Sequence, residues 1–288
     1  MRHFIMVLLQ QPLIVNLAPT GMVPTRDQSP FVPLTPAEIA DDVVRCVAQG
    51  VSMVHLHARG ADGAPTDELS VYADIIGRIR ARAPDTVIVT TTSGRLVADV
   101  ERRAATLSLE GELKPDMASL TLGSMNFARD ASVNAPATIT RLAQIMHERG
   151  IKPELEVFDL GMVNIAHMLI DKGLIQAPYY FNILLGNPGT AQSTLLHLAA
   201  IVGSLPPDSV WSLGGIGRFQ AQSNALGVVM GHGVRVGLED NLWFDDERTQ
   251  LADNPRLVRR VAAQAAALGR PLASAAQTRS LLGLEAVQ

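Results

Sequence analysis

Short apolar runs alternate with longer amphipathic stretches along most of this chain. The runs are rich in Val, Ile and Leu and rarely alternate apolar with polar residues, which is typical of parallel strands covered on both faces. We predict eight strands, at residues 13–19, 52–58, 86–92, 116–122, 154–160, 180–186, 210–217 and 234–240.

The amphipathic stretches carry residues that begin and end helices. In TPAEIADDVVRCVAQG, Thr35 is the predicted N-cap, and Glu38 completes a capping box with it. Pro36 suits the first helical position, and Gly50 suits the residue that stops the helix. Further helices are predicted at residues 134–150, 162–173, 190–206 and 254–271.

Asparagine is predicted to begin two of these helices. Asn134 is the predicted cap of one helix, which ends at Gly150. Asn254 and Pro255 lie at the start of the last helix, and Gly269 lies near its end. These boundary residues support the helical interpretation of both stretches.

Eight strands that alternate with helices predict an α/β fold, the (β/α)8 TIM barrel. A doubly wound open sheet is the alternative, but the dinucleotide fingerprint is absent from the first β–α turn. No long linker or low-complexity tract divides the chain, so we predict a single TIM-barrel domain over residues 1–288. In a TIM barrel, the polar residues after each strand gather around one mouth.

Composition narrows the class of protein. Apolar residues make up 47% of the chain and charged residues 18%, so a large core is available. The formal net charge is −4, and no block of Lys or Arg indicates a nucleic-acid surface. Cys46 is the only cysteine, so no intrachain disulfide is possible, as is typical of a reducing compartment.

Targeting and membrane signals are weak. No run approaches the roughly 18–20 apolar residues that a membrane span needs. The N-terminal MRHFIMVLLQQP has an apolar core of only six residues, too short for a secretory signal, and is predicted to lead into the first strand. We predict a cytoplasmic protein that binds neither nucleic acid nor a membrane.

The motif VHLHARG places two histidines one residue apart on a predicted strand. Because alternate residues of a strand share a face, His55 and His57 point the same way. Together they could bind Zn²⁺ or another divalent ion, or they could be packed histidines bonded to backbone. A metal site needs a further ligand, and His232 is a weaker candidate than the carboxylates at strand ends.

Two acidic motifs supply those carboxylates. Glu239 and Asp240 are adjacent in VGLEDN and are predicted to point to opposite sides, one toward a metal and one toward acid–base work. A helix-capping pair is the alternative. Glu154 and Glu156 share a face of the fifth strand, which is costly unless they are paired or functional. Arg235 shares a face with Glu239 and could pair a carboxylate bidentately.

Several motifs in one order resemble the β-keto acid cleavage enzymes, best described for 3-keto-5-aminohexanoate cleavage. The similar segments are TGMVPTRDQSPFVPLTPAEIA, VHLHAR, LKPDMASLTLGSMNF, PELEVFDLGMV, GIGRFQ, RVGLEDN and GRPLAS. The resemblance implies a TIM barrel with one divalent metal, usually zinc. It also implies a reaction in which a 3-keto acid and acetyl-CoA give acetoacetate and a new acyl-CoA.

The resemblance assigns roles to particular residues. The positions that match the metal ligands are His55, His57 and Glu239. The triad implied to deprotonate the substrate next to its ketone is Asp240, Arg235 and Glu156. The predicted substrate-binding residues are Thr20, Val23, Thr92 and Ser119, and the last two keep the hydroxyl that the aminohexanoate branch has there.

One departure concerns the substrate. The aminohexanoate branch has a glutamate that holds the substrate ammonium where this chain has Val23. An ammonium there would lose a charge-assisted hydrogen bond worth about 1.5–3 kcal/mol. We therefore predict a neutral or apolar 3-keto acid as the preferred substrate.

Other functions are compatible with parts of the pattern. An amidohydrolase-type hydrolase also carries a His-x-His pair, but on its first strand and with further histidines later. A Claisen lyase resembling hydroxymethylglutaryl-CoA lyase has such a pair late in the barrel. A catalytically inactive ligand-binding barrel is a further alternative, but it would not need the full set of predicted metal ligands and triad residues. Apolar positions on the late helices, with family habit, predict a homo-oligomer, for which we expect a tetramer.

Overall fold

A computed structural model describes residues 11–95, 97–128 and 130–286. Eight parallel strands form a closed barrel in which each strand pairs with its neighbours in sequence and the last pairs with the first. The strands are β1 (Ile14–Leu17), β2 (Met53–Leu56), β3 (Val87–Thr90), β4 (Met117–Thr121), β5 (Lys152–Val157), β6 (Tyr179–Leu185), β7 (Ser209–Gly215) and β8 (Gly233–Val236). The closed barrel confirms the predicted TIM fold over the open sheet.

Helices lie between the strands and around the outside of the barrel. They are α1 (Pro36–Val47), α2 (Leu69–Arg80), α3 (Val100–Arg103), α4 (Pro136–Arg149), α5 (Leu160–Asp171), α6 (Leu195–Ser204), α7 (Gln220–Met230), α8 (Asn254–Ala267) and α9 (Ala275–Leu282). No helix in the described part of the chain is long and apolar enough to cross a bilayer. The segment predicted to lead into β1 lies outside the described residues, apart from its last two positions.

The boundary residues of α1 act as predicted. The Thr35 hydroxyl accepts a hydrogen bond from the Glu38 amide at 3.2 Å, and the Glu38 carboxylate accepts one from the Thr35 amide at 3.0 Å. Gly50 follows the helix with a φ of +103°, where a Cβ would overlap the side chain of Leu272. The turn therefore requires glycine.

The cap prediction for Asn134 is wrong, whereas the boundary prediction for Asn254 is confirmed. α4 begins at Pro136, and the Asn134 amide oxygen accepts a hydrogen bond from Arg103 at 2.7 Å. α8 begins at Asn254, and Asp253 is its cap. Asn254 is fully buried and donates to the carbonyl of Pro19 at 2.9 Å, which ties α8 to the loop after β1. Each amide contacts a residue outside its own helix, which a boundary pattern in the sequence does not reveal.

The barrel interior changes from apolar to polar along the strands. The N-terminal half is filled by an apolar layer that includes Ile14, Met53, Val87, Met117 and Tyr180. Two residues further along four of the strands, the buried positions are polar: Asn16, His55, Ser119 and Asn182. Larger apolar clusters pack the helices against the outside. The polar half lies at the carboxyl ends of the strands, where TIM barrels carry their active sites.

Candidate active site

His55 and His57 both lie in the polar half of the barrel. They are 1% and 5% exposed, and their Nε2 atoms are 3.3 Å apart. Burial lowers the pKa of His57, which favours a neutral imidazole with a free lone pair. The predicted shared face is therefore confirmed, and the two ring nitrogens converge on one point.

Glu239 brings a carboxylate to the same point. Its Oε1 lies 3.2 Å from Nε2 of His57, and one donor atom from each of Glu239, His55 and His57 lies within 4.8 Å of the others. The other oxygen, Oε2, is buried and has no hydrogen-bond partner among the described residues. The histidine pair from β2 and a carboxylate from the far end of the chain thus form one cluster at the mouth of the barrel.

The placement of Asp240 corrects one prediction. We expected Glu239 and Asp240 to point to opposite sides, as neighbours on a strand do, but both contact Arg235. The reason is that β8 ends at Val236 and the chain turns at Gly237. A Cβ at Gly237 would overlap the carbonyl of Ala18, so this turn requires glycine.

Arg235 is a cation in contact with three carboxylates, those of Asp240, Glu239 and Glu156. It is 2% exposed and donates to Asp240 with Nε at 2.9 Å and Nη2 at 3.1 Å. Its Nη2 also lies 2.7 Å from Glu239, and its Nη1 lies 3.6 Å from Glu156. The structure therefore brings together the whole triad that the resemblance implies, next to the histidine pair.

The carboxylates around Arg235 have divergent pKa values. Burial would raise the pKa of Glu239, but Arg235 and the two histidines hold it well below its usual range. Burial raises the pKa of Asp240 and of Glu156, despite the same arginine. Acids whose environments push their pKa values apart are typical of active sites with separate charge-holding and proton-moving groups.

Glu154 has a role that the sequence interpretation missed. It is fully buried, and its Oε2 lies 2.6 Å from Nδ1 of His55. Its Oε1 accepts hydrogen bonds from the amides of Asn16 at 2.7 Å and Asn182 at 3.2 Å. Burial would lower the pKa of His55, but the Glu154 charge raises it on balance. A carboxylate on Nδ1 fixes the ring so that Nε2 faces the cluster.

The geometry of His55, His57 and Glu239 fits a divalent ion such as Zn²⁺. Two ligands bound tetrahedrally about 2.0–2.1 Å from zinc are about 3.3–3.4 Å apart. In the structure, Nε2 of His57 lies 3.3 Å from Nε2 of His55 and 3.2 Å from Oε1 of Glu239, which is close to that spacing. The unpartnered oxygen of Glu239 and the carboxylate behind His55 are further features of such sites. His55, Glu154 and Glu156 also cluster, but Glu154 already accepts three hydrogen bonds there.

The four predicted substrate residues are placed differently from one another. The Thr92 hydroxyl donates to the Ser119 carbonyl at 2.6 Å, and the Ser119 hydroxyl accepts from the Thr92 amide at 3.1 Å. Thr20 is fully buried, and its hydroxyl has no partner in the described ranges. Val23 is 49% exposed. The structure thus buries three of the four and leaves Val23 at the rim.

A cavity of about 90 Å³ opens beside His57. It is lined by residues that include Met22, Pro65, Tyr72, Thr92, Val97 and Thr106. Asp67 also lines it and is paired with Arg102 at 2.7 and 3.0 Å. A larger cavity of about 900 Å³ lies at the opposite end of the barrel and contains none of the predicted site residues.

The remaining histidine candidate is not part of the site. His232 precedes β8 and therefore lies at the N-terminal end of the barrel, where its Nδ1 accepts a hydrogen bond from the Trp211 amide at 3.2 Å. Burial lowers its pKa to about 4, so it is neutral. The weak prediction that it could supply a third ligand is wrong.

The fold and the charged cluster at its mouth define a TIM-barrel enzyme, and comparison with known proteins identifies its family. The family profile BKACE, beta-keto acid cleavage enzyme, matches residues 12–284. The 3-keto-5-aminohexanoate cleavage enzyme of Fusobacterium nucleatum subsp. nucleatum is 38% identical over 96% of this chain and 100% of that protein. The 3-oxoadipate:acetyl-CoA acetyltransferase of Cupriavidus necator is 35% identical over 97% of this chain and 98% of that protein.

This chain belongs to the beta-keto acid cleavage enzyme family and is an enzyme of the acyl-CoA transferase type. The resemblance stated from its motifs is thereby confirmed. A solved structure, the ternary complex of ObcA with a C4-CoA adduct and oxalate, has the same fold with a TM-score of 0.77. The match is 22% identical and covers 89% of this chain and 68% of that one.

Proposed function

We propose that this enzyme converts a 3-keto acid and acetyl-CoA into acetoacetate and a new acyl-CoA, with a divalent ion, zinc, held by His55, His57 and Glu239. The observation that carries the proposal is the convergence of these three donors beside an aspartate that Arg235 holds. The name of the Cupriavidus necator relative, a 3-oxoadipate:acetyl-CoA acetyltransferase, supports acetyl-CoA as the second substrate.

The residues around the donors suit proton removal from the substrate. A bound divalent ion would polarise the ketone oxygen as a Lewis acid and make the neighbouring C–H more acidic. Asp240 would accept that proton, because burial raises its pKa and makes it a stronger base than an exposed aspartate. Two hydrogen bonds from Arg235 fix the orientation of the Asp240 carboxylate. Glu156, bonded by the Thr121 hydroxyl at 2.6 Å, would hold Arg235 from the other side.

We propose a neutral or apolar tail for the substrate. Position 23 offers valine instead of a carboxylate, and Asp67, which lines the cavity beside His57, is already paired with Arg102. An ammonium on the tail would therefore lack the partner that it has in the aminohexanoate branch. The lost pair, about 1.5–3 kcal/mol, corresponds to about a 10- to 150-fold difference in kcat/KM.

A CoA-transfer assay with a panel of 3-keto acids tests both parts of this proposal. We expect acetoacetate and a new acyl-CoA in equal amounts, formed only when acetyl-CoA is present. We expect kcat/KM for a simple aliphatic 3-keto acid to exceed that for 3-keto-5-aminohexanoate by about 10- to 150-fold. Product formation is followed by mass spectrometry of the CoA thioesters.

The same assay distinguishes the other reactions. A hydrolase would consume its substrate without acetyl-CoA, and a Claisen lyase would cleave a CoA thioester without any keto acid. Either product pattern would contradict the transfer reaction. A preference for the amino substrate would leave the transfer reaction standing and contradict the neutral tail.

We also propose that the chain forms a homotetramer. Leu195 and Leu196, in the first turn of α6, are 66% and 76% exposed, and adjacent apolar side chains of this kind favour a contact between subunits. Light scattering should give about four times the chain mass of 30.8 kDa. Leu196→Lys should lower that mass, whereas Val133→Lys, at a residue that is 64% exposed, should not. A monomeric mass for the unmodified protein would contradict the proposal.

A further inference from the structure

Arg59 is a buried arginine with no carboxylate partner in the part of the chain that the structure describes. It follows β2 on a short hairpin and is 3% exposed. Its Nε donates to the Gly21 carbonyl at 2.9 Å, its Nη2 to the Pro24 carbonyl at 2.8 Å, and its Nη1 to the Gly63 carbonyl at 3.0 Å. All three nitrogens of the guanidinium are therefore used to hold backbone.

Two of those carbonyls belong to the loop after β1, which lies against Glu239. Gly21 has a φ of +65°, and a Cβ there would overlap Cγ of Glu239 and lie 2.9 Å from its Cβ. The Glu239 amide donates to the carbonyl of Ala18 at 3.2 Å, just before the same loop. The stem of the Glu239 side chain is therefore packed against the backbone that Arg59 fixes.

We propose that Arg59 is a positioning residue for the metal-binding cluster. Its guanidinium holds the loop after β1 in place, and Gly21 in that loop limits where the Glu239 carboxylate can lie. This inference rests on the proposed function, because it concerns the affinity of the His55, His57 and Glu239 set for a divalent ion. Arg59 touches neither the ion nor the substrate in this role.

The guanidinium of Arg59 has three donating nitrogens in one plane and can hold three carbonyls at once, whereas a lysine ammonium cannot. The three accepting carbonyls lie in three different residues, and each is met by a different nitrogen of the same rigid group. Lysine has one nitrogen on a flexible stem and cannot hold all three positions together. Methionine keeps much of the volume and removes every hydrogen bond.

Arg270 provides a matched control for the general cost of losing a buried arginine. It is 2% exposed and also donates to backbone, with Nε to the Gln11 carbonyl at 2.9 Å and Nη1 to the Val228 carbonyl at 2.7 Å. Burial lowers its pKa to about 10, as expected for a guanidinium far from any carboxylate. Gln11 precedes β1, so Arg270 lies at the end of the barrel opposite the cluster.

Measuring the zinc affinity and the thermal stability of Arg59→Met and Arg270→Met distinguishes a residue that positions the metal ligands from one that only stabilises the fold. We expect Arg59→Met to bind Zn²⁺ about 10- to 100-fold more weakly in competition with a chromophoric chelator, the usual effect of altering a residue that orients a ligand. Arg270→Met should lower Tm comparably and leave the zinc Kd within about threefold. Equal zinc affinities in the two folded variants would overturn the proposal.

Gly21→Ala keeps the test decisive if Arg59→Met does not fold. The added methyl group presses directly on the Glu239 stem and leaves Arg59 intact. We expect a zinc Kd raised at least tenfold, and an unchanged Kd would overturn the proposal. If the proposed metal site itself is wrong, the result is different, because the unmodified protein would then bind no zinc. A third outcome is that the unmodified protein binds zinc, His57→Asn does not, and Gly21→Ala binds it normally. That outcome would confirm the metal site and reject the role proposed for Arg59 and the loop after β1.

Discussion

Replacing Glu239 by glutamine is expected to release the divalent ion and to lower kcat/KM by about a thousandfold or more. The change keeps the volume of the side chain and removes the one anionic donor of the cluster. A Lewis acid at this position contributes several kcal/mol to stabilising the charge that develops on the substrate, and about 4 kcal/mol corresponds to that factor. Metal analysis of the dialysed variant and steady-state kinetics measure the two effects.

The surroundings of Glu239 predict that Glu239→Gln loses the metal ion but keeps the fold. Although burial opposes it, Arg235 holds the pKa of Glu239 well below its usual range, so the carboxylate is an anion at neutral pH. The fold should survive its loss, since Arg235 keeps its paired hydrogen bonds with Asp240. Glu148→Gln, the same chemical change on an exposed turn of α4, should retain full activity and zinc. Full zinc occupancy and activity in Glu239→Gln would reject its assignment as a ligand.

Replacing Arg235 by methionine is expected to lower the free energy of unfolding by about 3–5 kcal/mol at neutral pH. In the variant, Glu156 and Asp240 stay buried and Glu239 stays partly buried, while the cation that all three share is removed. Unpaired charges in such a site cost far more than the pair itself contributes to stability. Urea denaturation at pH 7 measures the loss.

The loss should depend on pH in a definite direction. Without Arg235, nothing from that cation opposes the effect of burial on Glu156 and Asp240, so their pKa values in the folded state rise further above those in the unfolded chain. The folded state then binds more protons than the unfolded state, so stability falls as pH rises above about 4. The deficit of Arg235→Met should therefore shrink between pH 8 and pH 5.

A second arginine provides the comparison for this prediction. Arg80 lies 2.7 Å from Asp116, but Arg279 pairs with the same carboxylate at 2.9 Å. Arg80→Met should cost less, because Asp116 keeps one cation. A deficit in Arg235→Met that is no larger than in Arg80→Met, or that grows on acidification, would contradict the charge network described for the site.

The elements of the barrel were predictable because they depend on local pattern. Apolar runs with helical stretches between them imply parallel strands, and period two along β2 places His55 and His57 on one face. The side on which Asp240 lies was not predictable in the same way. It depends on the residue at which β8 stops, and the turn at Gly237 is enforced by contact with Ala18 from the other end of the chain.

The supporting residues of the site depend on contacts across the barrel. Glu154 was recognisable as a buried acid in need of a partner, but its contact with Nδ1 of His55 joins residues 99 positions apart. Asn254 begins α8 as its sequence signature predicts, but its contact with the loop after β1 leaves no mark in that signature. Arg59 bonds to backbone carbonyls, which leave no mark on the sequence of the residues that supply them.

Anomalous diffraction at the zinc edge, from crystals grown with zinc, would locate the ion directly. We expect one strong peak per chain, about 2.0–2.2 Å from Nε2 of His55, Nε2 of His57 and a carboxylate oxygen of Glu239. A peak elsewhere in the barrel, or no peak beside these three side chains in zinc-saturated crystals, would contradict the proposed metal site and the reaction built on it.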